Sequence, residues 1–354
     1  MNYQPVLEVT RGGIVESTHY GAVAVTDASG GLVAWWGDPE VVTYLRSSAK
    51  PFQALPLVES GAVDHFGLTP RQLAVICSSH AGTDEHVATV AAAQAQVGVT
   101  EADLLCGVHP PHDLATSRRL KALGLEPTPN RHNCSGKHTG MLAMARFLGE
   151  PLATYFEPEH PVQRRILAAF SAMCGLSEAE VGIGIDGCSV PTFAVPLRAA
   201  ATAFARLADP SGLAADRARA CRRIFAAMTS HPEMVSGPGR FDTRVMAVAG
   251  GRMVVKGGAE GYHGIALSPG ALGPGSPGLG IALKIAEGDL GRLTDSPPGQ
   301  RAGGRVVLAV LQALGALRPG ELSELEEFAT RPVTNGRGLV VGEMRACLRL
   351  ERTR

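Results

Sequence analysis

Short apolar runs broken by glycine turns occupy both ends of the chain, and longer helical patterns occupy the middle. Val6-Leu7-Glu8-Val9 reads as a strand. Arg11-Gly12-Gly13-Ile14-Val15-Glu16 follows it, with two glycines that permit a bulge or a close backbone approach. The runs 21–25 and 31–36 flank Thr26-Asp27-Ala28-Ser29-Gly30 and read as a hairpin. From about 46 to 235 the pattern is mainly helical. Residues 51–60 are amphipathic, and Thr69-Pro70-Arg71-Gln72 supplies an N-cap and a first-turn proline. The segments 86–97, 140–148, 161–173, 196–207 and 214–228 also read as helices. Strand patterns return at 245–248, 253–256, 262–267 and 281–285. A helix over 306–314 and a last strand at 339–341 complete the series. Gly273-Pro274-Gly275-Ser276-Pro277-Gly278 and Ser296-Pro297-Pro298-Gly299 read as loops rather than linkers, because pattern resumes on both sides.

Strands at both ends with helices between them predict an α+β fold. Its sheet is mostly antiparallel and built from N- and C-terminal strands, so that 6–36 and 244–285 share one sheet. The middle of the chain, about 46–235, forms a helical lobe within a single domain spanning 1–354.

Composition narrows the function. Lys+Arg and Asp+Glu are equal at 33 each, which leaves no electrostatic reason to expect nucleic acid or an acidic membrane as partner. No apolar run is long enough to span a bilayer, and Met1-Asn2-Tyr3-Gln4-Pro5 lacks the features of a signal peptide. A soluble cytoplasmic protein is expected. Seven cysteines without framework spacing argue for reduced thiols. Cys77, Cys174, Cys221 and Cys347 read as small buried hydrophobes, with Cys106 similar. Cys134 and Cys188 differ, because each lies in a polar, glycine-flanked loop.

The chemistry centres on Arg46-Ser47-Ser48-Ala49-Lys50-Pro51. Ser47 and Lys50 are three apart and would share one helix face, where a desolvated lysine can act as base for a serine nucleophile. The same residues also suit a helix N-cap followed by a solvated lysine. Cys77-Ser78-Ser79-His80 presents a serine at the edge of a core. His132-Asn133-Cys134-Ser135-Gly136-Lys137-His138 reads as a loop entering a helix, where backbone N–H groups can meet an anion. Cys134 and Cys188 are soft donors suited to Zn²⁺, with Lys137 in neutral form or a water beside them; two ordinary thiols near a pocket is the alternative. Arg46 and Arg240 suit a substrate carboxylate. Lys256 ends a strand before Gly257-Gly258, as in the Lys-Thr-Gly strand of Ser-x-x-Lys enzymes, but with Gly257 in place of the hydroxyl residue.

Seven motifs, in order, resemble the Rhizobium-type L-asparaginase II family. They are Arg11–Glu16, Arg46–Pro51, Cys77–His80, Asn133–His138, Asp186–Cys188, His231–Val235 and Lys256–Gly258, and the resemblance runs from about 10 to 345. It implies a fold akin to the serine β-lactamases and hydrolysis of the side-chain amide of L-asparagine to L-aspartate and ammonia. It implies two Ser-Lys pairs, Ser47 with Lys50 and Ser79 with Lys256, and a Zn²⁺ at Cys134, Lys137 and Cys188. On this reading Ser47 attacks, Ser79 and Lys256 relay protons, and Arg46, His132, Asn133 and Asp186 bind a small-molecule amide substrate. A homodimer is expected. A glutaminase, and a non-catalytic amino-acid- or metal-binding protein, are the alternatives.

Overall fold

A computed structural model describes residues 2–288 and 302–353. The loop expected at 296–299 lies outside the described residues. The strands in chain order begin with β1 (Gln4–Arg11), β2 (Ile14–Asp27), β3 (Leu32–Trp36) and β4 (Val42–Tyr44). Next come β5 (Gly182–Ile185), β6 (Pro191–Pro196), β7 (Met253–Gly258), β8 (Tyr262–Leu267) and β9 (Leu279–Ile285). The last are β10 (Arg331–Thr334), β11 (Val340–Ala346) and β12 (Glu351–Arg352). The chain forms two compact units. One comprises Met1–Leu45, Val195–Asp209 and Val248–Arg354; the other comprises Arg46–Ala194 and Pro210–Ala247.

The first unit carries the large sheet, in the order β10-β11-β1-β2-β9-β8-β7, with β3 paired to β2 and β12 paired to β3. These pairings are antiparallel. The first half of β2 pairs with β1, and its second half lies between β3 and β9. The fold is therefore α+β, and N- and C-terminal strands share one sheet as expected. One expected strand is corrected: residues 245–248 belong to the helix Phe241–Ala249. Phe241, Val245, Met246 and Ala249 are buried while Ala247 is exposed, which is helical spacing and not alternation.

The helix Leu197–Ala208 packs on β2, β8 and β9 through a stripe of alanines and Phe204. The approach is close enough to demand glycine on the sheet. A Cβ at Gly264 would stand 1.9 Å from the Phe204 ring, and one at Gly280 would stand 1.9 Å from Ala201 O. The strands β8 and β9 are buried almost throughout, so they read as apolar runs without alternation.

The second unit is helical, with Pro70–Ile76, Asp84–Val97, Ser135–Leu148, Pro161–Cys174 and Ala215–Ser230 as its main helices and β5–β6 as a hairpin. The expected helix over 51–60 is two short ones, Lys50–Gln53 and Leu55–Glu59, buried almost completely and so not amphipathic. Thr69 caps its helix through a reciprocal bond set with Gln72. His80, His86 and His138 are fully buried. Burial pulls the His86 pKa to about 4, partly offset by its bond to Glu233 O, and burial holds His80 and His138 well below the usual range. Among the described residues no helix is long and apolar enough to cross a membrane.

Gly280→Ala should cost about 1–3 kcal/mol, because the new methyl meets backbone and not a movable side chain. Denaturant titration checks this, and a loss under ~0.5 kcal/mol would mean that the helix retreats without strain. A second expectation concerns acid. Unfolded histidines take a proton near pH 6.5, whereas the native ones refuse it. The unfolded state therefore binds more protons below that pH, and stability falls as pH drops from about 6.5 towards 4. His86→Gln should make this slope shallower by up to about one proton. An unchanged slope in that variant would show that His86 titrates normally.

Candidate active site

The helical unit brings most of the expected residues together, and a glycine makes it possible. A Cβ at Gly136 would lie 2.1 Å from Val75 O, so only glycine lets the start of the helix Ser135–Leu148 sit on the end of the helix Pro70–Ile76. The chain leaving Pro70–Ile76 turns at Cys77 and Ser78, with Ser78 Oγ donating to Val75 O at 2.7 Å. Ser79 follows in a half-buried position, its N–H donating to Val235 O at 3.0 Å.

Lys50 reaches this turn from the start of the short helix Lys50–Gln53. Its side chain is 1% exposed. Its Nζ lies 2.5 Å from Ser78 O, 2.9 Å from Ser79 Oγ and 3.2 Å from Asn133 O. The expected local pair is thus corrected: Lys50 bonds Ser79, and no hydrogen bond joins it to Ser47 among the described residues. The physical reason is that two carbonyls, Ser78 O and Asn133 O, take N–H donors from a long flexible side chain, and these tertiary bonds outweigh the i,i+3 spacing. Two carbonyls can only accept. In the neutral lysine they use both N–H bonds, and the lone pair is left towards Ser79 Oγ.

Arg46 adopts φ 51°, a left-handed conformation rare for arginine. Asp186 holds it there, with Oδ1 at 3.0 Å from Nε and 2.8 Å from Nη2. Asp186 also accepts from Gly187 N–H at 2.7 Å, in the turn of the β5–β6 hairpin. This turn presents Cys188, whose Sγ accepts from Lys137 Nζ at 2.9 Å. Cys134 and Cys188 are both buried and reduced. Contact with Cys188, and then the charges of Lys50 and Lys137, pull the Cys134 thiol well below its ordinary range. The same contact, with burial, pushes Cys188 above it. The pair gives up one proton easily and the second with difficulty. Burial opposes the charge on Lys137, but Cys188, Cys134 and Asp186 outweigh it and raise its pKa.

The two thiols suit a soft divalent cation. Among the described residues no three His, Cys, Asp or Glu side chains form a metal-holding group. A metal at Cys134 and Cys188 would therefore take a water or Lys137 as third ligand, and the lysine would first have to lose its proton.

Several histidines that the sequence left without a role support these side chains. His80 Nδ1 accepts from Gly82 N–H at 3.1 Å, which leaves Nε2–H to donate to Ser135 Oγ at 2.8 Å. His109 Nδ1 donates to Pro110 O, and its Nε2 accepts from Asn133 N–H at 3.2 Å. The expected His132 accepts from Cys134 N–H at 3.0 Å, and its ring lies 4.2 Å from that of His109. The N–H groups of 133–135 are thereby spent on the chain itself, the last on His132 O. They are not the anion donors that the sequence suggested. The signal that could have found His109 is its place in Val108-His109-Pro110-Pro111-His112, a stiff loop with two imidazoles. Lys256 lies in the sheet-bearing unit on β7, is buried, and donates to Gly257 O at 2.6 Å. A cavity of about 820 Å³ in that unit, lined by Thr10–Gly13 and Val340–Glu343 among others, contains none of the expected residues.

The solved structures similar to this chain include the protein Mglu in 4.3 M NaCl, at 16% identity and TM-score 0.41, covering 82% of this chain and 59% of that one. They include the Bacillus subtilis glutaminase YbgJ in covalent complex with 5-oxo-L-norleucine, at 13% identity and TM-score 0.35, covering 87% and 88%. A β-lactamase from Burkholderia ambifaria matches at 13% identity and TM-score 0.36, covering 85% and 96%. The chain thus spans about 59% of the length of Mglu. No curated protein matches it in sequence. The L-asparaginase II family model matches residues 7–346, nearly the whole chain. The chain belongs to the L-asparaginase II family.

Proposed function

We propose that the protein is an amidohydrolase that cleaves the side-chain amide of L-asparagine, with Ser79 as nucleophile and Lys50 as its base. The observation that carries this reading is the bond set of Lys50 Nζ: two carbonyls and one serine hydroxyl. Lys50 takes the proton of Ser79 as Oγ attacks the amide carbon. The ammonium then returns it to the leaving nitrogen, and ammonia departs. Water hydrolyses the aspartyl ester by the same exchange in reverse. A positioned base of this kind supplies about a hundred- to ten-thousand-fold. Ser47 binds or orients the substrate. Lys256 enters this reading only through the family resemblance. Cytoplasmic location and a homodimer belong to the same proposal.

A Zn²⁺ held by Cys134, Cys188 and neutral Lys137 would supply charge that orients the amide. Thiols and lysine must lose protons to bind it, so affinity should rise with pH. Cobalt titration tests this, expecting an intense sulfur-to-metal absorption band that Cys188→Ser weakens. A cobalt complex without that band would remove the metal site.

Ser79→Ala and Lys50→Met should each lower kcat by about a thousandfold or more, and the double variant no further, as expected of a unit. Ser47→Ala should retain more activity. Ammonia release from L-asparagine and L-glutamine reads the rates, and stronger release from glutamine would move the assignment to a glutaminase. Peptide mapping after quenching with L-aspartate β-hydroxamate should locate an aspartyl adduct on Ser79. An adduct on Ser47, or normal turnover by Ser79→Ala, would reverse the two serines. Tight amino-acid binding without ammonia would leave a binding protein.

A further inference from the structure

In the segment bonded to that of Ser79 the helical unit holds a cation with no ion pair among the described residues. Arg240 stands at the end of the turn between the short helix Pro232–Val235 and the helix Phe241–Ala249. Thr243 closes this turn, its Oγ1 accepting from Gly237 N–H at 3.2 Å and donating to Pro232 O at 3.0 Å. The bond from Ser79 N–H to Val235 O, at 3.0 Å, fastens the turn to the serine segment. Gly237 has φ 138° and marks where the two meet. A Cβ there would lie 2.6 Å from Ala81 Cβ and 3.5 Å from Arg240 Cδ. Arg240 Cδ and Ala81 Cβ thus both border the space at Gly237, and Ala81 is two residues from Ser79.

Among the described residues no hydrogen bond or ion pair is made by the guanidinium. Its Nη1 is shut off from solvent and has no hydrogen-bond partner. Its charge acts on His86, and Asp242 acts on it in return, yet it forms no ion pair among the described residues. A cation in such a position is costly, because arginine keeps its proton and cannot neutralise itself. It is the fork-shaped donor that matches a carboxylate with two parallel bonds. Arg46, the other arginine suited to an anion, is already neutralised by Asp186.

We propose that Arg240 receives the α-carboxylate of the substrate, so that the site takes a free amino acid with a side-chain amide and rejects one whose carboxyl is blocked. This rests on the amidohydrolase reading of Ser79 and Lys50. A cation unpaired among the described residues, in the segment bonded to that of the nucleophile, is completed by the ligand, whose charged end is set apart from the amide that reacts.

The test uses the full-length protein, Arg240→Gln and Arg240→Lys. Their substrates are L-asparagine and L-asparaginamide, and L-aspartate serves as a non-reacting ligand by calorimetry. Arg240→Gln should raise KM for L-asparagine and Kd for L-aspartate about 100-fold, with kcat changed less than about fivefold. L-asparaginamide, poor for the parent, should not become worse, and Arg240→Lys should recover part of the loss. Ligand-free Arg240→Gln should melt no lower than the parent, whereas a merely structural arginine would lower the melting temperature. An unchanged KM for L-asparagine, or equal losses on both amides, would overturn the proposal. If the parent released no ammonia but bound L-aspartate through Arg240, the amidase reading would fall and the carboxylate site would stand. If the parent turned over and Arg240→Gln kept its KM, only Arg240 would fall.

Discussion

The site depends on one buried amine. Lys50 Nζ joins three segments that are far apart in sequence: its own short helix, the turn at Ser78–Ser79, and the loop at Asn133. Each contact gives a polar group a hydrogen-bond partner. The lysine is therefore structural and chemical at once. Its carbonyl partners hold it where its remaining direction meets the Ser79 hydroxyl. An asparagine or serine side chain would be too short to reach all three.

That amine could not be placed without the close helix contact beneath it. Gly136 rests on Val75 O, where any side chain would collide with backbone. This contact sets the level of Ser78 and Ser79 against the loop 132–134. His80 and His109 then fix the two sides. One bonds Ser135 at the helix start, and the other supports the Asn133 peptide whose carbonyl receives Lys50. The His80 imidazole, held neutral by burial, suits this task, because it offers one donor and one acceptor at fixed angles.

Much of this was legible in the sequence where the signal is local. The Thr69 cap, the hairpin of β2 and β3, the helices at 84–97 and 161–174, and the C-terminal strands all follow from spacing and turn chemistry. The polar residues were legible as a set, since Ser79, Cys134, Lys137, Asp186 and Cys188 stand in glycine-punctuated stretches that a core does not need, and Ser47 and Lys50 stand three apart. What could not be read was pairing. Spacing joined Lys50 to Ser47, because it says nothing of the two carbonyls that draw the amine to Ser79. The strand expected at 245–248 failed for a related reason. Four apolar residues fit either period, and only the burial of Phe241 and Ala249 around them selects the helix.

The charges of the helical unit explain why its two buried lysines differ in use. Lys137 faces sulfur, and its bond to Cys188 and the charge shared by the thiol pair keep it protonated. It can balance a thiolate, and in this state it cannot accept a proton. Lys50 faces only oxygen atoms that carry no formal charge, so none of its three partners holds its proton by ion pairing. In the proposed reaction Lys50, and not Lys137, is therefore the base. Arg46 is matched by Asp186 in the same way that Lys137 is matched by the thiols. Unlike Arg46 and Lys137, Arg240 has neither a carboxylate nor a sulfur within bonding reach among the described residues. On the proposed reading, the Arg240 guanidinium is the positive charge left for a substrate carboxylate. A zwitterionic amino acid, whose carboxylate can meet that charge while its neutral amide meets Ser79, satisfies both demands at once.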